Sequence, residues 1–305
     1  MPPSIDSRIL GSLLGLAVGD GLGSRFEGRS PNWIARCHSS WRDVTGDPPK
    51  ELRYTDDTQM AIGVAETLAD RGKIDPAVLR RRFASNFDPS RGYGSGARKV
   101  LEAMRDGLDS DFVARTAFPG GSYGNGAAMR VAPVGTFHAR DLDRVWEAAR
   151  EQSLPTHTHR LGIDGARLLA TAVALATRGE PITAEALLRR GVAEEYVPKI
   201  EAACRVDAPE RLARLGNGIA ALESVPTAIA CFLLSPNSYE ETIGRAILLG
   251  GDADTIAAMA GAIAGAALGH EGIPKALLDR LEDGPTTKGR TYLETLARRL
   301  AAARV

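Results

Sequence analysis

Two short acidic stretches carry most of the chemical promise of this chain: Thr55-Asp56-Asp57, and Asp252-Ala253-Asp254-Thr255 behind the pair Gly250-Gly251. Each opens an apolar segment with helical spacing, so the plainest reading is a helix cap, for which Thr and Asp are favoured and the helix dipole welcomes negative charge. One residue suffices to cap a helix. Three consecutive oxygen-bearing side chains exceed that need, and packed between apolar segments they repel one another unless a cation neutralises them. In the second stretch the glycines let the backbone turn sharply and approach a ligand closely. Asp-x-Asp also occurs as the aspartyl nucleophile of haloacid-dehalogenase-like phosphatases, but that chemistry needs a preceding buried strand, and none is evident. Taken together, the two clusters have the donor set for hard, oxygen-only coordination of Mg²⁺ or Mn²⁺.

A third stretch, Gly120-Gly121-Ser122-Tyr123-Gly124-Asn125-Gly126, reads either as a flexible turn or as a cradle. Successive glycines expose backbone N–H groups to phosphate oxygens, Ser122 and Asn125 add hydrogen bonds, and Tyr123 adds a flat aromatic face. As isolated residues, Glu27 would be a solvated loop charge and His157 a satisfied histidine at a helix start.

The elements that must position these groups are helices. Apolar residues recur at three- and four-residue intervals over 9–18, 58–69, 77–87, 96–104, 141–152, 160–178, 183–190, 197–206, 225–234, 239–249, 256–268 and 275–281. Alternating Val, Ile, Thr and Tyr runs are almost absent and aromatics make up only 5% of the chain, so an all-α fold is expected over a parallel sheet. The polar stretches 36–53, 107–126 and 282–290 read as loops, and no linker divides the chain, which predicts one domain over 1–305. Gly11, Gly15, Gly19 and Gly23 recur every four residues, as do Gly261, Gly265 and Gly269. Such spacing costs roughly 1 kcal/mol per site against Ala but lets a neighbouring backbone approach one helix face. It predicts that these two helices bring the acidic clusters together.

Composition narrows the class further. The 305 residues carry 38 basic and 38 acidic side chains, so the long-range field that draws proteins to nucleic acid or acidic membranes is missing. The longest apolar run, 256–268, falls short of the roughly 20 residues a membrane span needs. The start lacks a basic region followed by an apolar one, so no secretory signal is read and a cytoplasmic location is expected. Cys37, Cys204 and Cys231 are odd in number and far apart, which argues against both disulfides and a zinc site.

Six segments in order resemble the motifs of the ADP-ribosylglycohydrolase family: Gly15-Leu-Ala-Val-Gly-Asp-Gly-Leu-Gly23, Tyr54-Thr-Asp-Asp-Thr-Gln-Met60, Arg91-Gly-Tyr-Gly94, Gly121-Ser-Tyr-Gly-Asn-Gly-Ala-Ala-Met-Arg130, Thr156-His157 and Gly250-Gly-Asp-Ala-Asp-Thr255. The resemblance implies an all-α, single compact orthogonal multi-helix domain with a binuclear metal cleft. Its two Mg²⁺ ions, or Mn²⁺ in their place, fall to Thr55, Asp56, Asp57, Asp252, Asp254 and Thr255. Glu27, seven residues after Asp20, matches the glutamate that the serine-directed branch uses as acid/base. The resemblance further assigns ligand contacts to Gly121, Ser122, Gly124, Asn125 and His157. Tyr123 stacks on adenine, with Phe118 on the other side, one residue nearer to Tyr123 than the family's spacing.

The expected activity is hydrolysis of the glycosidic bond between ADP-ribose and an O-linked acceptor, with ADP-ribose and ADP-ribosylated protein as partners. Nucleic acid enters only as a modified acceptor. Three alternatives stay open at this point: an N-linked ADP-ribosyl-arginine hydrolase, a non-catalytic ADP-ribose-binding or crystallin-like protein, and a two-metal phosphatase.

Overall fold

Helices begin where a side chain can satisfy the open backbone amides of the first turn. Asp75 Oδ1 accepts from the amides of Ala77 and Val78, both at 3.0 Å, ahead of helix Pro76–Asn86. Thr183 and Ser238 do the same for the helices Ala184–Leu188 and Tyr239–Leu248. The computed structural model describes residues 2–304, and among them the fold is helical throughout. The only pairings of extended backbone among the described residues are two isolated bridges, Leu52 with Leu281 and Gly124 with Ala220.

Two long helices form the centre. Helix Ile5–Gly23 is buried from Ser7 to Gly23 except at Leu10, and helix Ala253–Leu268 is buried as far as Ala266. Both are buried on all sides and mostly apolar, as helices enclosed by others must be, with Arg8, Asp20, Asp254 and Thr255 among the polar exceptions. They run antiparallel, and their glycines interlock. A Cβ at Gly11 would strike the carbonyl of Gly265, one at Gly15 the carbonyl of Gly261, and one at Gly19 the carbonyl of Ala257. At the far end, a Cβ on Gly23 would lie 2.6 Å from Cα of Asp254. This contact brings the second acidic cluster to the end of Ile5–Gly23, while the first cluster, which opens helix Asp56–Arg71, joins that end through Asp20, whose carboxylate accepts from the Thr55 amide. Tyr239 locks the pair by donating its hydroxyl to the Gly15 carbonyl at 2.7 Å.

Around this pair pack helices Arg160–Arg178, Ala221–Leu234, Tyr239–Leu248 and Arg290–Ala302, while Asp56–Arg71 lies against the last of these and against Pro76–Asn86. The buried apolar side chains make one cluster running from Ile9 to Leu300.

The structure corrects the loop assignments in two places. Helix Trp41–Gly46 lies inside the stretch 36–53, and helix Ser110–Ala117 inside 107–126. Both are short and about half exposed, so too few buried positions remain to show the periodicity of longer helices. Helices Pro31–Ala35, Ala132–Phe137 and Arg290–Ala302 lie outside the periodic segments as well. The last had a readable signal, since Leu293, Leu296, Ala297 and Leu300 are its buried positions and follow helical spacing.

Candidate metal and ligand cleft

The amino ends of two helices meet at the cleft. Thr55 caps helix Asp56–Arg71, and Asp252 stands at the cap position of helix Ala253–Leu268. Thr255 Oγ1 lies 3.4 Å from Asp57 Oδ1, so residues 198 apart in sequence touch. Asp57, Asp252, Asp254 and Thr255 are buried; Thr55 and Asp56 are partly so.

Glu27 reaches the same place by backbone pairing. Gly28 donates to the Gly251 carbonyl, and Gly251 donates to the Arg29 carbonyl, both at 2.8 Å. This reciprocal pair needs positive φ at Gly250 and Gly251, 64° and 66°, a conformation that favours glycine. A carboxylate oxygen from each of Glu27, Asp252 and Asp254 lies within 4.8 Å of the others. Glu27 itself stands exposed at the rim.

Asp20, a member of the first glycine motif that was given no role of its own, organises the first cluster. It is fully buried, and its carboxylate accepts from the Thr55 amide at 3.0 Å, the Thr58 amide at 3.1 Å and the Thr58 hydroxyl at 2.6 Å. A second clamp holds the residue before. Glu282 accepts from the Tyr54 amide at 2.9 Å, Arg91 donates to the Tyr54 carbonyl at 2.7 Å, and Arg91 and Glu282 form a buried ion pair. Arg91 thus acts behind the acidic turn. Neither Asp20 nor Glu282 could be assigned by local pattern, because the amides they hold belong to another element.

The electrostatics are one-sided. Burial raises Asp57 well above the usual carboxylate range, and the charges that add to the shift are those of Asp20, Asp254, Asp56 and Asp252. Burial, then Asp252 and Glu27, push Asp254 up to about 9. Burial and Asp20 bring Asp56 to about 7, and burial brings Asp20 to about 6 against the lowering effect of its threonine hydrogen bonds. Asp252 is raised by burial, while Asn125 works in the opposite direction; Glu27 is raised by burial and by Asp252. Moreover, Asp57 Oδ2 is buried with no hydrogen-bond partner. A set of carboxylates that raise one another, with an orphaned oxygen among them, fits divalent cations bound through oxygen ligands.

The carboxylates form one end of a cavity of about 380 Å³ whose other end is lined by Phe118, Ser122, Gly124, Asn125, His157 and Ile219. The Phe118 ring fills the space that a side chain at Gly96 would need. Asn125 sits at the junction, its amide donating to Asp252 and, at 3.1 Å, to Ser224. Gly121 is spent on the local turn, donating to the Phe118 carbonyl at 2.8 Å. Tyr123 is 58% exposed and rests edge-on against His159 at 5.8 Å, outside the cavity wall, as Gly121 and Thr55 are.

These features define an all-helical domain whose cleft joins an acidic cation-type site to a mixed apolar and polar chamber. The family model described as ADP-ribosylglycohydrolase matches residues 1–305. The ADP-ribosylhydrolase ARH3 of Homo sapiens is 37% identical, covering 88% of this chain and 87% of its own length; that of Bos taurus gives the same figures. The uncharacterized protein YegU of Escherichia coli is 34% identical over 90% of this chain and 92% of its own. A solved structure described as an ADP-ribosylglycohydrolase-related protein complex superposes with a TM-score of 0.74 at 28% identity, covering 99% of both chains. The chain belongs to the ADP-ribosylglycohydrolase family, and is accordingly a hydrolase of ADP-ribose glycosidic bonds. No helix among the described residues is long and apolar enough to cross a membrane.

Proposed function

We propose that this chain, working as a single domain, releases ADP-ribose from an O-linked acceptor of the serine type, with two Mg²⁺ ions, or Mn²⁺ in their place, held by Thr55, Asp56, Asp57, Asp252, Asp254 and Thr255. The observation that carries the reading is the meeting of two buried acidic clusters that repel each other and have an unpartnered oxygen at Asp57. When bound, the cations supply compensating positive charge and Lewis acidity beside the ribose.

The chain's own residues do the rest. Glu27 is the acid/base: its raised pKa lets it hold a proton for the departing acceptor oxygen or take one from the attacking water. Asp20 and the Arg91–Glu282 pair keep the acidic turn in place. The chamber beside Phe118 takes the adenosine end, with Ser122, Gly124, Asn125 and His157 facing the ligand and Gly121 and Tyr123 completing the turn that carries them. Three unpaired cysteines fit the reducing cytoplasm we assign to it.

Similarity to ARH3 supports the ADP-ribosyl linkage, and the position of Glu27, seven residues after Asp20 as in the serine-directed branch, supports the O-linked choice. A panel of peptides ADP-ribosylated on serine or on arginine, with and without Mg²⁺, tests it for wild type beside Glu27→Gln. Turnover of the serine peptide alone, abolished by chelation and by Glu27→Gln, is the expected result; preference for the arginine peptide overturns the acceptor assignment.

A further inference from the structure

Arg130 is a fully buried arginine that forms no ion pair with a carboxylate among the described residues; burial lowers its pKa, against the opposing effects of Tyr93 and Asp56. All its hydrogen bonds run to neutral groups. Nε donates to Gln152 Oε1 at 2.9 Å, and Nη2 donates to the Gln152 carbonyl at 2.9 Å and to Thr156 Oγ1 at 2.8 Å. Nη1 points at Met60 Sδ, 3.6 Å away, and the guanidinium lies 4.8 Å from the Phe83 ring centre. Gln152 is oriented in turn, since its Nε2 donates to the carbonyls of Ala127 and Ala149.

The direction of this network decides a proton further on. A guanidinium has donors and no acceptor, so Thr156 Oγ1 must accept from Arg130. Its own proton then needs an acceptor, and His157 Nδ1 stands 2.7 Å away. The opposite polarity, with Nδ1 protonated and donating, would strand a buried hydroxyl proton with no acceptor in reach. Burial and the Arg130 charge push the imidazole down to about 3, so the ring is neutral and carries one proton. With Nδ1 accepting, that proton is on Nε2.

Nε2 has no hydrogen-bond partner among the described residues, although His157 is only 7% exposed. The ring edge lies beneath the Gly124-Asn125-Gly126 segment; a Cβ at Gly126 would sit 3.3 Å from Nε2. His157 lines the same chamber as Phe118 and Ser122.

We propose that Arg130 and Thr156 are positioning residues that hold His157 in its Nε2–H tautomer, so that it presents one fixed donor to an acceptor oxygen of the ligand's diphosphate or ribose. The ligand half of this statement rests on the proposed ADP-ribose reading; the tautomer half does not. A donor fixed in this way favours an oxygen with free lone pairs and penalises a ligand group that can only donate.

The tautomer is read directly from long-range ¹H–¹⁵N correlation spectra of the ligand-free, ¹⁵N-labelled protein, with His157→Gln identifying the His157 signals among the five histidines. Wild type is expected to show Nε2 protonated and Nδ1 bare. Thr156→Val should redistribute the proton toward Nδ1 and weaken ADP-ribose binding by roughly tenfold, the loss of one hydrogen bond, while Thr156→Ser restores both. Nδ1 protonated in the wild-type spectrum overturns the relay without need of any variant. A shifted tautomer in Thr156→Val with unchanged ADP-ribose affinity overturns the donation to ligand. Absence of ADP-ribose binding by wild type sinks the ligand half together with the functional reading it rests on, and leaves the relay to be decided by the spectra.

Discussion

Thr255 Oγ1 and Asp57 Oδ1, 3.4 Å apart, join the two acidic clusters at the point where helices Asp56–Arg71 and Ala253–Leu268 converge. Around that contact lie five buried or partly buried aspartates whose charges oppose one another.

Removing one of these charges should separate stability from activity. In Asp254→Asn the metal-free protein loses a repelling charge once Asp254 would ionise, so its melting temperature in chelator above about pH 9 is expected to rise by about 1–2 °C, what ~1 kcal/mol yields in a domain of 305 residues. Hydrolysis should fall on the order of a thousandfold, because the cation and the water beside it lose a ligand. A lower melting temperature in chelator together with full turnover would contradict both halves.

The same repulsion sets the pH dependence. Asp20, Asp56 and Asp254 are raised to about 6, 7 and 9. The folded state therefore holds more protons than the unfolded one, and its stability falls as pH rises. The contribution is complete below the ordinary carboxylate pKa and is lost as pH climbs through these three values. Melting temperature in chelator should decline from about pH 5 to about pH 9, and saturating Mg²⁺ should flatten the decline. Stability that climbs over this interval in chelator would refute the assignment.

Asp20 reports on positioning. In Asp20→Asn the side chain keeps its shape, but an amide donor replaces an oxygen that accepts from Thr55 or Thr58. Loss of such a buried acceptor costs ~1–3 kcal/mol, and a supporting group of this kind typically changes cation affinity about 10- to 100-fold. Calorimetric titration of Mg²⁺ into the variant checks this; an unchanged affinity would leave Asp20 with a purely architectural role.

The interlocked glycines give a fourth expectation. Gly19→Ala drives a methyl into the Ala257 carbonyl, which neither backbone can yield, and should cost ~1–3 kcal/mol or more. Gly46, which ends a helix with open space around it, is the control, and Gly46→Ala should be neutral within about 0.5 kcal/mol. Denaturant titration of both variants makes the comparison, and equal midpoints would show that the close approach carries no energy.

What the sequence disclosed was whatever repeats or clusters locally. The glycine period of four, the three-oxygen run at Thr55-Asp56-Asp57 and the Gly-Gly turn before Asp252 were legible because each is a pattern along the chain. Asp20 and Glu282 were not, since each looks like an ordinary acidic residue until the amides of Thr55 or Tyr54 arrive from elsewhere. Asn125 lines the cleft as its glycine-rich surroundings suggest, but its bonds to Asp252 and Ser224 carry no local pattern that could announce them. Short helices such as Trp41–Gly46 escaped because two turns are too few to display a period.

The antiparallel seam between Ile5–Gly23 and Ala253–Leu268 also constrains how the molecule comes into being. Helix Ile5–Gly23 is synthesised well before its mate, for the backbone it must clasp arrives about 240 residues later. Until then an apolar, glycine-grooved rod has no mate, and contacts this distant in sequence are slow to form and open to misassociation. Maturation of the catalytic cleft therefore waits on synthesis of the second helix, and a nascent chain stalled before residue 253 would hold one half of a cation site with nothing to complete it.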